Sequence, residues 1–173
     1  RFLYDSLKNN ELDFVIGITP LNDTDLTVKP LYYEPILIII PENIKDDNST
    51  EIELSNVDSK NILVPIKENE FRNTIENILP SDTYNEKFKN NSLETLMNLS
   101  FKGNGIALIP YLNFLSLRDQ QKAKVYKFKA PEPAREISVV FKNNNLKKHI
   151  IEEVFLLIKN SIKKIQSFTD VNI

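Results

Sequence analysis

Hydrophobic residues along this chain follow two rhythms: short unbroken or alternating runs, and stripes spaced three and four apart. Residues 92–110, SLETLMNLSFKGNGIALIP, hold both. Ser92 suits a helix N-cap, where its hydroxyl accepts from an orphan N–H of the first turn. Glu94 then sits at the positive end of the helix dipole. Leu93, Leu96, Met97 and Leu99 give a mostly apolar helix face. Gly103 suits the left-handed residue that ends a helix, and Gly105 frees the turn after it. Residues 106–109 form an apolar run of strand type, stopped by Pro110.

The same reading extends in both directions. Phe2, Leu3 and Leu7 mark an amphipathic helix, broken by Asn9-Asn10. Residues 12–18, LDFVIGI, read as a buried strand, and Gly17 inside it signals a close approach to the backbone. Thr19-Pro20 ends that strand, and residues 22–25 form a polar loop. Residues 28–33 and 36–40 are strand-like, punctuated by Pro30, Pro35 and Pro41. A charged loop covers 42–53, and Ile52, Leu54 and Val57 suggest a helical turn. Residues 62–66 read as a strand. A polar turn at 68–70 leads into a helix with Phe71, Ile75, Ile78 and Leu79 on one side, closed by Pro80. Residues 112–117 give a short helix, and 125–128 and 135–141 give strands. Between those strands, Ala130-Pro131-Glu132-Pro133 is a stiff extended crossing. Leu146, Ile150, Ile151, Val154, Phe155, Ile158, Ile162 and Ile165 recur at helical spacing. Strands alternating with helices predict an α/β fold with largely parallel sheets.

Composition narrows the chemistry. The 173 residues are 41% hydrophobic and 27% charged, enough for a real core in one domain or two small lobes. No apolar run approaches the roughly 20 residues of a membrane helix. A net charge of −2 gives no bulk attraction to DNA or anionic lipid. Lys147-Lys148 and Lys163-Lys164 read as solvated faces. The absence of cysteine excludes disulfides, thiolate metal sites and thiol redox sensing, and fits a cytoplasmic protein. The one histidine, His149, falls on the C-terminal helix as a surface residue, so a metal centre or a Ser-His-Asp triad lacks support. Asp46-Asp47 and Glu152-Glu153 are adjacent in sequence and do not face each other on a helix, which makes them poor acid/base pairs. Gly103-Asn104-Gly105 follows a helix and precedes a strand, the reverse of a dinucleotide loop. No catalytic residue, metal ligand or cofactor is assigned.

Several segments carry a resemblance. S-x-E-T-L, an apolar helix and G-x-G-I-A-L-I-P at 92–110 resemble the effector-binding domain of LysR-type transcriptional regulators. So do L-x-x-x-E-L-D-F-V-I-G at 7–17, P-L-Y-Y-E-P at 30–35 and P-E-P-x-R-x-I at 131–137. Asn10 stands where that family often has glycine, a mild departure because asparagine tolerates the left-handed conformation. The likeness is strongest to the branch containing the peroxide sensor OxyR. It implies a two-lobe, type II periplasmic-binding-protein-like fold, with lobe one at 1–40 and 132–173 and lobe two at 41–131. It also implies an N-terminally truncated first lobe, and a DNA-binding helix-turn-helix outside this sequence. Because the chain opens at Arg1 in mid-pattern, it reads as a fragment. Aligned on that branch, ILVPIKENEFRNT places Glu70 at the peroxide-reactive cysteine and Arg72 at the arginine two residues on. A carboxylate forms neither sulfenic acid nor disulfide, so thiol peroxide sensing is excluded. The plainer reading of Arg72 is a helix surface charge.

Ligands in open α/β sheets sit beyond the carboxyl ends of the strands. The resemblance gathers four such loops onto one interlobe cleft as an effector site: Thr19 and Pro20; Lys67, Glu68 and Asn69; Ser92, whose helix N-terminus suits an anion; and Pro110 with Tyr111. Read singly, Ser92 is a cap, Pro110 a strand stop and Lys67 a solvated turn residue. The expected function is small-molecule sensing through a homodimer, or a tetramer in a full-length regulator, with DNA reached only through the missing domain and no membrane partner. The alternative is a transport-type solute-binding protein of the same fold. An enzyme of related architecture ranks last.

Overall fold

The computed structural model describes residues 2–21, 23–45, 49–88 and 92–162. The expectations at Asn22, Asp46-Asp47, Lys163-Lys164 and Ile165 lie outside them. The elements in chain order are α1 (Phe2–Lys8), β1 (Val15–Thr19), β2 (Leu26–Ile39), β3 (Glu51–Ile52), α2 (Glu70–Ile78), α3 (Leu93–Phe101), β4 (Ala107–Pro110), α4 (Tyr111–Leu115), α5 (Asp119–Lys122), β5 (Val125–Phe128), β6 (Ala134–Lys142) and α6 (Lys148–Ile162). Single 3-10 turns cover Leu54–Asn56 and Ser59–Asn61. The chain divides into two compact units: residues 1–34 with 134–173, and residues 35–133.

In the first unit β6 lies between β1 and β2. β1 runs antiparallel to β6, from Val15 opposite Val140 to Thr19 opposite Glu136. Alternation along β6 sends side chains to both faces. Val139 and Phe141 pack with Leu31, Ile151 and Phe155, whereas Val140 packs with Leu7, Val15 and Leu26. The close approach expected at Gly17 is present: a Cβ there would lie 2.9 Å from Cζ of Tyr4, and the Tyr4 hydroxyl donates to the Ile18 carbonyl at 3.2 Å. The C-terminal stripe is narrower than its spacing suggests. Ile151 and Phe155 are buried, but Ile150 is half exposed and Leu146 is 96% exposed. Leu146 precedes the helix, in a turn where the Asn145 side chain accepts from the Lys147 amide.

In the second unit the end of β2 pairs antiparallel with β4 and with β5, and β5 pairs parallel with β3. Ile36, Ile38 and Ile40 join Val64, Phe71, Ile75, Leu108 and Phe128 on one face. Leu37 and Ile39 join Met97, Ala107 and Ile109 on the other. Three sequence readings change here. The segments at 28–33 and 36–40 are one continuous strand running through Pro30 and Pro35. The expected strand at 62–66 reduces to single parallel bridges, Ile62 to Ile106 and Leu63 to Asn85; Pro65 has no N–H to extend the ladder. The sheets are not largely parallel: among the described residues β1–β6, β2–β4 and β2–β5 pair antiparallel, and β3–β5 pairs parallel. Hydrophobic period reports which faces are buried and carries no information on strand direction.

The stretch 92–110 folds as its residues dictate. Ser92 Oγ accepts from the Thr95 amide at 3.3 Å. At the far end of α3, Gly103 N donates to Ser100 O at 2.9 Å and Asn104 N to Leu99 O at 3.1 Å. That is the paired closure of a Schellman motif, with Gly103 at φ +85°. Gly105, at φ +148°, passes so close to the neighbouring segment that a Cβ would lie 2.7 Å from the Asn61 carbonyl oxygen. The approach lets Ile106 N reach Asn61 O at 2.7 Å and Leu63 N reach Ile106 O at 2.8 Å. Gly105→Ala both strains the backbone and forces these segments apart, so it should destabilise the domain by about 1–3 kcal/mol, read as a lower midpoint in chemical denaturation. Gly103→Ala, with only a Cβ–side-chain contact at 3.1 Å to Asn43, should cost less.

Candidate functional site

Of the expected site residues, Thr19 and Pro110 end strands, Asn69 and Ser92 cap helices, and Lys67 and Glu68 lie in the turn before α2. Thr19 is the last residue of β1 and is buried. Pro20 follows it, exposed, after a cis peptide bond. Thr19 donates to Glu136 Oε1, and its hydroxyl lies 2.8 Å from that of Ser138. Ser138 Oγ donates to the same carboxylate oxygen at 3.0 Å, and Tyr33 OH donates to Oε2 at 2.5 Å. Four side chains from β1, β2 and β6 therefore form one cluster. Burial pushes the Glu136 carboxyl up, but hydrogen bonds from Thr19, Tyr33 and Ser138 outweigh it and hold the group below its ordinary value. The hydrogen bond to Glu136 in turn raises the Tyr33 phenol.

In the second unit, Lys67 and Glu68 are exposed and help line a cavity of about 260 Å³, with Val64, Pro65, Ile66, Arg72, Glu86 and Phe88. Asn69 does not line it. Its side chain caps α2 instead, accepting from the Phe71 amide at 2.9 Å. Ser92 caps α3. Pro110 is buried at the end of β4, opposite Ile36, and opens α4. Lys67 and Glu68 thus share one hollow, and neither Ser92 nor Pro110 lines it. Glu70 is the exposed first residue of α2.

Arg72 is not a surface charge. It is 5% exposed, and its guanidinium is held on three sides. Nε donates to Glu76 at 2.7 Å, Nη2 to Glu86 at 2.7 Å and Nη1 to the Pro65 carbonyl at 3.0 Å. Burial lowers its pKa, yet the two carboxylates outweigh burial and raise it. The planar fork explains why arginine occupies this position: it satisfies partners before, within and after α2 at once. A second fork joins Arg135 to the buried Glu34, with Nε at 2.8 Å and Nη2 at 2.7 Å from Oε2.

Sequence reasoning missed the burial of Arg72 and the whole Tyr33–Glu136–Ser138 group. One signal was available for the latter. Glu136 and Ser138 alternate with the apolar Ile137 and Val139 along a strand, which places both polar side chains on one face. Arg72 had no such signal, because its partner Glu86 comes from a distant segment without regular structure.

The family described as LysR substrate binding domain matches residues 2–160, and the chain belongs to it. It is thus an effector-binding regulatory domain of the LysR type, with the type II periplasmic-binding-protein-like fold. Among solved structures it is similar to an OxyR mutant from Porphyromonas gingivalis, at 23% identity and TM-score 0.81 over 92% of this chain and 73% of that one. The reduced OxyR regulatory domain from Pseudomonas aeruginosa matches at 23% identity and TM-score 0.77, covering 91% and 76%. A hydrogen-peroxide-bound OxyR C206S mutant from Corynebacterium glutamicum matches at 17% and TM-score 0.82, over 99% of this chain and 56% of that one. The search of curated proteins finds no match. Among the described residues no helix is long and apolar enough to cross a membrane, and no group of acidic or histidine side chains could hold a metal ion.

Arg72→Lys keeps the charge but cannot span Pro65, Glu76 and Glu86 together. It should lower stability by about 1–2 kcal/mol in thermal or urea unfolding. Unchanged stability would show that the exposed ends of the two glutamates already take up the loss.

Proposed function

We propose that this domain senses a small molecule held without covalent chemistry by Thr19 and Pro20 of the first unit and Lys67, Glu68, Asn69, Ser92 and Pro110 of the second, in a cleft between two lobes. The bound state is passed through a homodimer to the helix-turn-helix domain of a full-length regulator in the cytoplasm, which alone contacts DNA. The observation that carries this reading is the pairing of family membership over residues 2–160 with a chain that contains no cysteine. The domain keeps the fold of its OxyR neighbours and puts Glu70 at the start of α2, where the resemblance aligns their reactive thiol. Within this sequence peroxide has no thiol to oxidise to a disulfide, which favours a signal that comes from occupancy. Occupancy works by differential affinity: an effector shifts the lobe arrangement only by as much as it prefers one arrangement over another.

A thermal-shift screen of small carboxylates, amino acids, amines and aromatic acids tests it. An effector at about 100 times its Kd should stabilise the domain by about 2.7 kcal/mol. If no compound raises the melting temperature while the dimer persists, effector sensing by this domain is wrong.

A further inference from the structure

The first unit holds two strand glutamates near the same end of β6, and they are treated differently. Glu34 is buried and forked by Arg135. Glu136 is partly open, and its hydrogen bonds come from three hydroxyls: Thr19, Tyr33 and Ser138. Among the described residues, no lysine, arginine or histidine pairs with it. The three hydroxyls fix the carboxylate in place without neutralising it. They occupy three of its roughly four acceptor positions. The donors themselves are well anchored, since Thr19 is 6% exposed and Ser138 fully buried. A solvated surface glutamate needs no such cage, and a purely structural buried acid is served better by an arginine, as Glu34 is. The residue opposite Glu136 in the β1–β6 ladder is Thr19, the strand-end residue already assigned to the effector site.

We propose that Glu136 is the specificity-determining group among the effector contacts of the first unit, and that the effector carries a protonated amine which takes the remaining acceptor position of this carboxylate. The inference rests on the effector-sensing reading above and names the ligand class for it. A preorganised carboxylate selects an ammonium over a hydroxyl or carboxyl group of the same shape. The ammonium gains a charge-assisted bond, while an acid meets like charge.

The test uses matched probes on the intact chain: butane-1,4-diamine, agmatine and tyramine, each beside the alcohol or carboxylic acid of the same skeleton. Melting temperature should rise with at least one amine and with none of its neutral or acidic counterparts. Glu136→Gln, checked for folding by its own melting curve, should weaken that amine at least tenfold. Tyr33→Phe, which keeps the carboxylate and two hydroxyl donors, should retain most of the response, whereas a merely structural cluster would make the two variants behave alike. Equal responses of wild type and Glu136→Gln, or of an amine and its alcohol, overturn the proposal. If only acids or neutral compounds in the wider screen stabilise the protein, the amine assignment falls and effector sensing stands. If nothing stabilises it, both fall.

Discussion

Burial of both faces of one strand governs the second unit. Residues 36–40 of the chain, ILIII, place Ile36, Ile38 and Ile40 against the α2 side and Leu37 and Ile39 against the α3 side. Because both faces of this run are apolar, its hydrophobic pattern alone does not set the register; the fit of individual side chains in the two close-packed layers and the ladder pairing to β4 and β5 do. β4 and β5 are held by their pairing to it. Leu108 of β4 and Phe128 of β5 carry the α2-side layer, while Ala107 and Ile109 carry the other. β2 itself continues from the first unit, where Leu31 packs with Val139, Phe141 and α6. One extended segment thus contributes to both hydrophobic bodies.

The candidate site residues of each unit lie at or after these strands. Thr19 closes β1, Pro110 closes β4, and Lys67 and Glu68 lie in a turn after the single bridges at Ile62 and Leu63. The charged groups divide by purpose. Arg72 gathers two carboxylates and a carbonyl and fastens the start of α2 to the segments on either side of it. Arg135 neutralises Glu34. Glu136 alone of these acids is held by hydroxyls without a cation, and that contrast gives it its proposed role.

Much of this was legible in the residues. The cap at Ser92, the left-handed Gly103, the tight turn at Gly105 and the close contact on Gly17 each follow from one residue's conformational needs, and each is present. The apolar face of α2, with Phe71 and Ile75 buried, followed from spacing. What the residues did not disclose involves partners far apart in sequence. Antiparallel pairing of β2 with β4 depends on strand direction, which alternation does not encode. Arg72 looked solvent-facing because Glu86 and the Pro65 carbonyl reach it only after folding. Pro30 and Pro35 suggested breaks in a segment that runs on as one strand. Of the candidate residues, Thr19 was expected at a strand end and lies there, Lys67 falls in a turn after isolated bridges instead of at the end of a strand, and Glu136 and Ser138 were hidden inside what looked like an ordinary core strand.

The central claim is that noncovalent occupancy, registered by both units, is the signal. Backbone amide chemical shifts followed during titration with a compound that raises the melting temperature test it most directly. The claim predicts saturable shifts in the same concentration range at Thr19, Glu136 and Ser138 in the first unit and at residues 67–69 and 92 in the second. Shifts confined to one unit, or scattered over the surface without saturating, would contradict it.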